Sequence, residues 1–263
     1  MKIVFVGAGR LATQLARALH AKGHDITAVY SRTMESASEL AQAVGGMATD
    51  RVEELPSDAD AYIIAVKDSA LPSLIPVLAH GREQRFFFHT AGSVPLTVFG
   101  RLAHGGVIYP MQTFSKGREV DFTRIPVFIE GSDADALQLA RTIATSVSGN
   151  VTELDSERRR YLHLAAVFAC NFANHCYTLA ADIVEQQGLP FETMLPLIEE
   201  TARKVQTMHP RQAQTGPAVR YDENVIEAQR ALLADTPLKQ DIYSLMSMSI
   251  HEFRSSGVTG VQE

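Results

Sequence analysis

Lys2-Ile3-Val4-Phe5-Val6-Gly7-Ala8-Gly9-Arg10-Leu11-Ala12 opens the chain, and its reading decides the fold. Ile3 to Val6 is a short, apolar, mostly β-branched run of the kind that forms a buried parallel strand. Gly7, Gly9 and Ala12 follow it directly as G-x-G-x-x-A. Leu11, Leu15, Ala18 and Leu19 then recur at helical spacing until Lys22-Gly23 closes the element. Strand, glycine turn and helix in this order make a dinucleotide-binding unit. Gly7 allows the tight turn, Gly9 lets the backbone approach a pyrophosphate, and Ala12 lets helix and strand pack closely. Gly7, Ala8, Gly9, Arg10 and Leu11 are the expected cofactor contacts, since free N–H groups at a helix start attract phosphate.

A second strand, Ile26 to Tyr30, follows at the distance such a unit requires, and Ser31-Arg32-Thr33 comes after it. An NAD site usually carries Asp or Glu there to accept from the ribose 2′-hydroxyl. Here no carboxylate repels a 2′-phosphate, and the planar fork of Arg32 with the hydroxyls of Ser31 and Thr33 suits one. NADP is therefore the expected cofactor. Thr33 also reads as the cap of a helix from Met34 to Val44, which is compatible with that role.

The rest of the first 153 residues alternates strand and helix. Strands are expected at Met47-Ala48, Ala61 to Val66, Arg85 to Thr90, Gly106 to Tyr109, Pro126 to Glu130 and Asn150 to Glu153. Ser69 to Leu78 reads as a helix that Pro76 kinks or splits, and Asp133 to Ser146 as a helix capped by Ser132 or Asp133. This alternation predicts an α/β fold with a doubly wound, mainly parallel Rossmann sheet over 1–153. Strand signals stop there, and 154–263 reads as an all-α C-terminal domain: Ser156 to Gln187, Phe191 to Gln206, Asp222 to Leu233 and Pro237 to Arg254, with a frayed tail from Ser255.

Composition bounds the function. Of 263 residues, 46% are apolar and 21% charged, the balance of a soluble globular protein. A net charge of −6 argues against a nucleic-acid partner. The longest basic run, Arg158 to Arg160, is expected on the solvated side of a helix. The first apolar segment is too short for a membrane span or a secretory signal, so the expected location is cytoplasmic. Cys170 and Cys176 suggest neither a disulfide framework nor a metal site.

Ligands of open parallel sheets bind beyond the carboxyl ends of the strands. Val66 and Lys67 end the fourth strand and border the expected cofactor. Thr90, Ala91, Gly92 and Ser93 follow the fifth, and Gln112 and Thr113 follow Tyr109-Pro110-Met111 after the sixth. These are expected substrate contacts, since small side chains let a ligand approach main-chain donors. In the long helix His163, Val167, Asn171 and Asn174 fall on one stripe among apolar residues. Buried polar groups need partners, and they bond either to one another or to a substrate. His163 suits proton donation to a carbonyl or imine, because an imidazole titrates near about 6.5. Asn171 and Asn174 would orient that substrate. Arg220, in Thr215-Gly216-Pro217-Ala218-Val219-Arg220-Tyr221-Asp222, either meets a substrate anion or pairs with Asp222.

Taken together, Gly7 to Gly9, Ser31 to Thr33, His89 to Ser93, Tyr109 to Phe114, His163 to Asn171 and Thr215 to Asp222 resemble the Rossmann-like proteins with a C-terminal DUF2520 domain. That family is similar in layout to pyrroline-5-carboxylate reductases and β-hydroxyacid dehydrogenases. The resemblance implies an NADP-binding domain and a helical domain that often forms a homodimer interface. The dehydrogenases place a catalytic Lys, then an Asn one turn later, where this chain has His163 and Val167, so their lysine mechanism does not transfer. The expectation is an NADP-dependent oxidoreductase acting on a small polar carbonyl or imine. The alternatives are a non-catalytic NADP sensor or scaffold dimer, and a reductase using another cofactor such as a deazaflavin.

Overall fold

The structure is a computed structural model that describes residues 1–115, 117–118 and 120–255. Eight strands form one sheet in the order β3-β2-β1-β4-β5-β6-β7-β8. They are β1 (Lys2–Val6), β2 (Asp25–Tyr30), β3 (Met47–Thr49), β4 (Ala61–Ile64), β5 (Phe86–His89), β6 (His104–Pro110), β7 (Val127–Gly131) and β8 (Val151–Glu153). The first six run parallel; β7 is antiparallel to β6 and parallel to β8. The chain builds outward from β1 to β3, then returns to place β4 on the other side of β1. That reversal opens a crevice at the carboxyl ends of β1 and β4.

Side-chain alternation in β1 divides the core into two layers. Ile3 and Phe5 join Leu15 and Leu19 of α1 (Arg10–Ala21), Leu40 of α2 (Met34–Val44) and Ile143 of α4 (Ala134–Val147). Val4 and Val6 face the opposite side, with Tyr62, Phe87 and Leu71, Ile75 and Leu78 of α3 (Leu71–Ala79). Fully buried apolar side chains on both faces are what the continuous β1 and β4 runs require. Helix α3 passes through Pro76 unbroken, contrary to the expected split. It starts only at Leu71, so Pro76 forgoes a single bond near the helix start. Asp133 caps α4 by accepting from the N–H groups of Asp135 and Ala136.

The chain divides into two compact units, Met1–Asn171 and Phe172–Glu263. The first contains the sheet and also α5 (Ser156–Ala166), which continues as a π-helical segment, Val167–Phe172. In the second, α6 (Ala173–Gln186) is followed by a turn of 3-10 helix and then by α7 (Leu195–Thr207). The segment left between the expected helices holds two short helices, α8 (Pro210–Ala213) and α9 (Pro217–Arg220), each begun by proline, which is pre-set for a first helical turn. Helices α10 (Glu223–Ala231) and α11 (Pro237–Ser255) complete this unit. The expected tail lies, from residue 256 onward, outside the described residues. No helix among the described residues is long and apolar enough to cross a membrane.

Candidate functional site

A cleft of about 1070 Å³ lies at the β1/β4 crevice, and all ten expected cofactor residues line it: Gly7 to Leu11, Ser31 to Thr33, Val66 and Lys67. Gly7 is held at φ +112, and a Cβ there would overlap the carbonyl of Ala65. Only glycine fits. A Cβ at Gly9 would meet nothing within 4 Å, so this backbone faces open space where a phosphate can approach. Gly9 precedes α1, whose start has no side-chain cap and no acidic residue in its first turn. Its first N–H groups are thus left for an anion. Arg10, Arg32 and Lys67 line the cleft, and no Asp or Glu does. Arg32 is exposed and forms no ion pair among the described residues. Thr33 takes the N-cap position of α2 as expected, but its side chain makes no cap bond; its hydroxyl donates to Ser36 Oγ at 3.0 Å.

A second cavity in the same unit, of about 520 Å³, brings together Gln112, Thr113, His163 and Asn171 with Tyr109, Met111 and small residues of the helix. Asn171 lies in the π-helical segment that follows His163, whose turns hold more residues than 3.6, so it falls nearer the His163 face than α-helical spacing over eight residues would place it. Leu164 and Phe168, of the apolar residues around that stripe, are exposed. The Tyr109 hydroxyl lies 3.0 Å from His163 Nδ1. Burial pushes the Tyr109 phenol up, Arg159 draws it partly back, and Asp68 adds a smaller upward push. Gly92 sits beneath this pair: a Cβ there would lie 2.7 Å from His163 Nδ1 and 2.9 Å from Tyr109 Cζ.

Arg159 corrects the expectation of a solvated basic run. Its side chain is 0% exposed and pairs with Glu130 of β7. It also donates to the Val94 carbonyl at 2.7 Å and to Ser156 Oγ at 3.2 Å. Ser156 in turn donates to Glu130 and accepts from the N–H of Leu96 at 2.8 Å. This network fastens the start of α5 to the sheet, one turn before His163. Helical spacing hides a residue of this kind, since Arg158 and Arg160 on either side are exposed. His89, at the end of β5, is buried and stacked on Phe99. Burial, with the Arg159 charge adding to it, pushes its imidazole down to about 3, so it stays neutral. Its Nδ1 accepts from the N–H of Ala91 at 3.2 Å, which shapes the loop above it.

Thr90, Ala91 and Ser93, of the same unit, are not in the lining of this cavity. Thr90 and Ala91 are buried, and the Thr90 hydroxyl turns inward toward the Ile64 carbonyl at 3.5 Å. Ser93 donates to Asp68, tying the loop after β5 to the loop after β4. Asn174 and Arg220 belong to the second unit. Arg220 forms no ion pair with Asp222, which instead caps α10 by accepting from the Val225 N–H. Sequence reasoning passed over Tyr109, although its place at a strand end beside a fixed Pro110 is a usable signal. It also passed over Ser36 and Ser73, whose side chains line the cofactor cleft.

Comparison with known proteins returns two family matches. Residues 125–250 match the family described as "Domain of unknown function (DUF2520)", and residues 2–86 match "NADP oxidoreductase coenzyme F420-dependent". Among solved structures, the chain is 53% identical to "putative NADP oxidoreductase BF3122" from Bacteroides fragilis, covering 95% of this chain and 98% of that one with a TM-score of 0.91. Protein TM1727 from Thermotoga maritima is 25% identical, over 97% of this chain and 99% of that one, with a TM-score of 0.73. An imine reductase from Myxococcus stipitatus in complex with NADP+ shares the fold at 17% identity, over 98% and 95% of the two chains, with a TM-score of 0.69. A search of curated proteins finds no match.

Proposed function

Because this chain belongs to the family of Rossmann-type NADP oxidoreductases that carry a DUF2520 domain, we propose that it transfers hydride between NADP and a small polar carbonyl or imine. The observation that carries this reading is the cavity in which His163, Asn171, Gln112 and Thr113 converge, in the same unit as the cationic cleft. When bound, the cofactor supplies or accepts the hydride at its nicotinamide ring. The chain supplies the rest. Gly7, Gly9 and the start of α1 hold the pyrophosphate, and Arg32 with Ser31 and Thr33 holds the 2′-phosphate. His163 gives a proton to the oxygen or nitrogen of the bond being reduced, while Asn171, Gln112 and Thr113 orient it.

Arg32→Ala should weaken NADPH binding by roughly 10- to 100-fold, the value of a charge-assisted phosphate contact. NADH affinity should not change. Fluorescence titration of both cofactors checks this, and an equal loss for the two would remove Arg32 from the 2′-phosphate. Turnover itself is tested by incubating the protein with NADPH carrying deuterium at the transferred position and a panel of small imines and aldehydes. Deuterium in a product supports the reading; NADPH binding with no transfer across the panel favours a sensor. The name of the N-terminal family match favours one further arm, a deazaflavin as hydride partner, which the bleaching of its absorbance would reveal.

The assembly follows from the second unit's lack of a core. Among its described residues only Ala218 and Ser247 are buried, while Leu197, Leu232, Leu238, Leu245 and Phe253 are all more than half exposed. Apolar surface of this extent needs a covering partner, and a second copy of the chain satisfies it most simply. Sedimentation should therefore give twice the chain mass of 28.8 kDa. Leu245→Glu should shift the mass toward the monomer, and a monomeric wild-type protein would rule the dimer out.

A further inference from the structure

His163 has two ring nitrogens, and which of them exchanges a proton with a substrate depends on what holds the other. Three observations fix this. The Tyr109 hydroxyl lies 3.0 Å from Nδ1. The two rings meet edge to face, with centroids 6.0 Å apart and planes at 74°. Gly92 closes the third side, since even a Cβ there would come within 2.7 Å of Nδ1. Tyr109 is itself held: it is 8% exposed, it ends β6, and its ring packs 6.4 Å from that of Phe128 on the neighbouring strand.

A buried phenol keeps its proton, so its O–H can donate to the Nδ1 of a neutral imidazole 3.0 Å away. In that pairing the single proton of the imidazole sits on Nε2. In the imidazolium, Nδ1–H donates to the same phenol oxygen, so the ring keeps its orientation in both protonation states. We propose that Tyr109 is a positioning residue that engages Nδ1 of His163 and leaves Nε2 as the nitrogen facing the cavity of Gln112, Thr113 and Asn171. This rests on the reading of His163 as the proton donor only for its catalytic consequence. In that step the Nε2–H bond of the imidazolium breaks, an N–H or O–H bond forms on the substrate, and the imidazole is left neutral with its remaining proton on Nδ1, donated to the Tyr109 oxygen, until solvent protonates Nε2 again. A buried Tyr holding the remote nitrogen acts like any partner that fixes a histidine's tautomer, in the way a buried carboxylate does elsewhere.

Tyr109→Phe deletes the hydroxyl and keeps the ring that packs against Phe128 and Gly92. Nitrogen NMR of the full chain labelled at histidine, with the His163 signals assigned by loss in His163→Gln, reads the tautomer without any substrate. With the imidazole in its neutral form, the wild type should show a protonated Nε2 and a lone-pair Nδ1. In Tyr109→Phe the two signals should move toward averaged positions. With NADPH and methylpyrroline as the probe, kcat should fall about 10- to 100-fold while KM stays near the wild-type value, as expected for a lost contribution to acid catalysis. A wild-type proton on Nδ1 overturns the proposal, and so does a Tyr109→Phe variant with unchanged tautomer and turnover. If the variant does not fold, the wild-type spectrum alone decides. Full turnover in His163→Ala beside a wild-type Nε2–H signal would end the catalytic reading of His163 and leave the tautomer assignment standing.

Discussion

His163→Ala is expected to lower turnover by about 10²- to 10⁴-fold, the usual contribution of a positioned general acid, while NADPH binds as tightly as before. The split follows from the geometry. His163 lines the cavity with Gln112, Thr113 and Asn171 and is absent from the lining of the cofactor cleft. Removing its side chain should therefore leave the pyrophosphate and 2′-phosphate contacts untouched. Rates of NADPH consumption with the methylpyrroline probe, set beside a fluorescence titration of NADPH, check both halves. Unchanged turnover would remove His163 from the chemistry; lost NADPH binding would place it in the wrong site.

Arg159→Met should cost about 3–5 kcal/mol of stability, because it leaves Glu130 as a charge facing a site built for a cation. Arg159 is fully buried and Glu130 side-chain exposure is 16%, so solvent can relieve little of that loss. For a unit of this size the melting temperature should fall by roughly 10 °C. Arg159→Met combined with Glu130→Gln should recover part of the loss, since no unpaired carboxylate then remains. Denaturant melts of the single and double variants measure it. A loss for the single variant no larger than about 1 kcal/mol would mark the pair as equivalent to a surface contact. The consequence for the site is direct, because the same guanidinium ties α5 to the loop carrying Val94 and adds to the burial that keeps His89 neutral beneath Ala91.

Much of this was legible in the sequence because local rules and fold agree over the first half of the chain. The run from Ile3 to Val6 can only be a strand buried on both faces, Gly7 is demanded by a positive φ, and Ser31-Arg32-Thr33 stands where the turn after β2 must meet the crevice. Those features depend on neighbours within a few residues. What periodicity could not carry was contact at long range. Arg159 looks like one of three surface arginines until Glu130 and Val94 are brought beside it by the sheet. Tyr109 looks like an ordinary strand-end residue until His163, 54 positions later, meets its hydroxyl. The stripe of His163 and Asn171 was read with α-helical geometry, and the π-helical turn that aligns them has no signature in spacing. The second unit was legible as helices but not as a core, since its described residues scarcely bury one.

In the proposed reading the cofactor lies along the β1/β4 cleft with its reactive ring directed to His163, and a crystal structure with NADP bound decides it. The 2′-phosphate is expected on Arg32, the pyrophosphate at the Gly7–Leu11 turn, and the nicotinamide C4 facing the cavity of His163 and Asn171. A nicotinamide ring directed away from that cavity, with His163 beyond the reach of any substrate bound against C4, would contradict it.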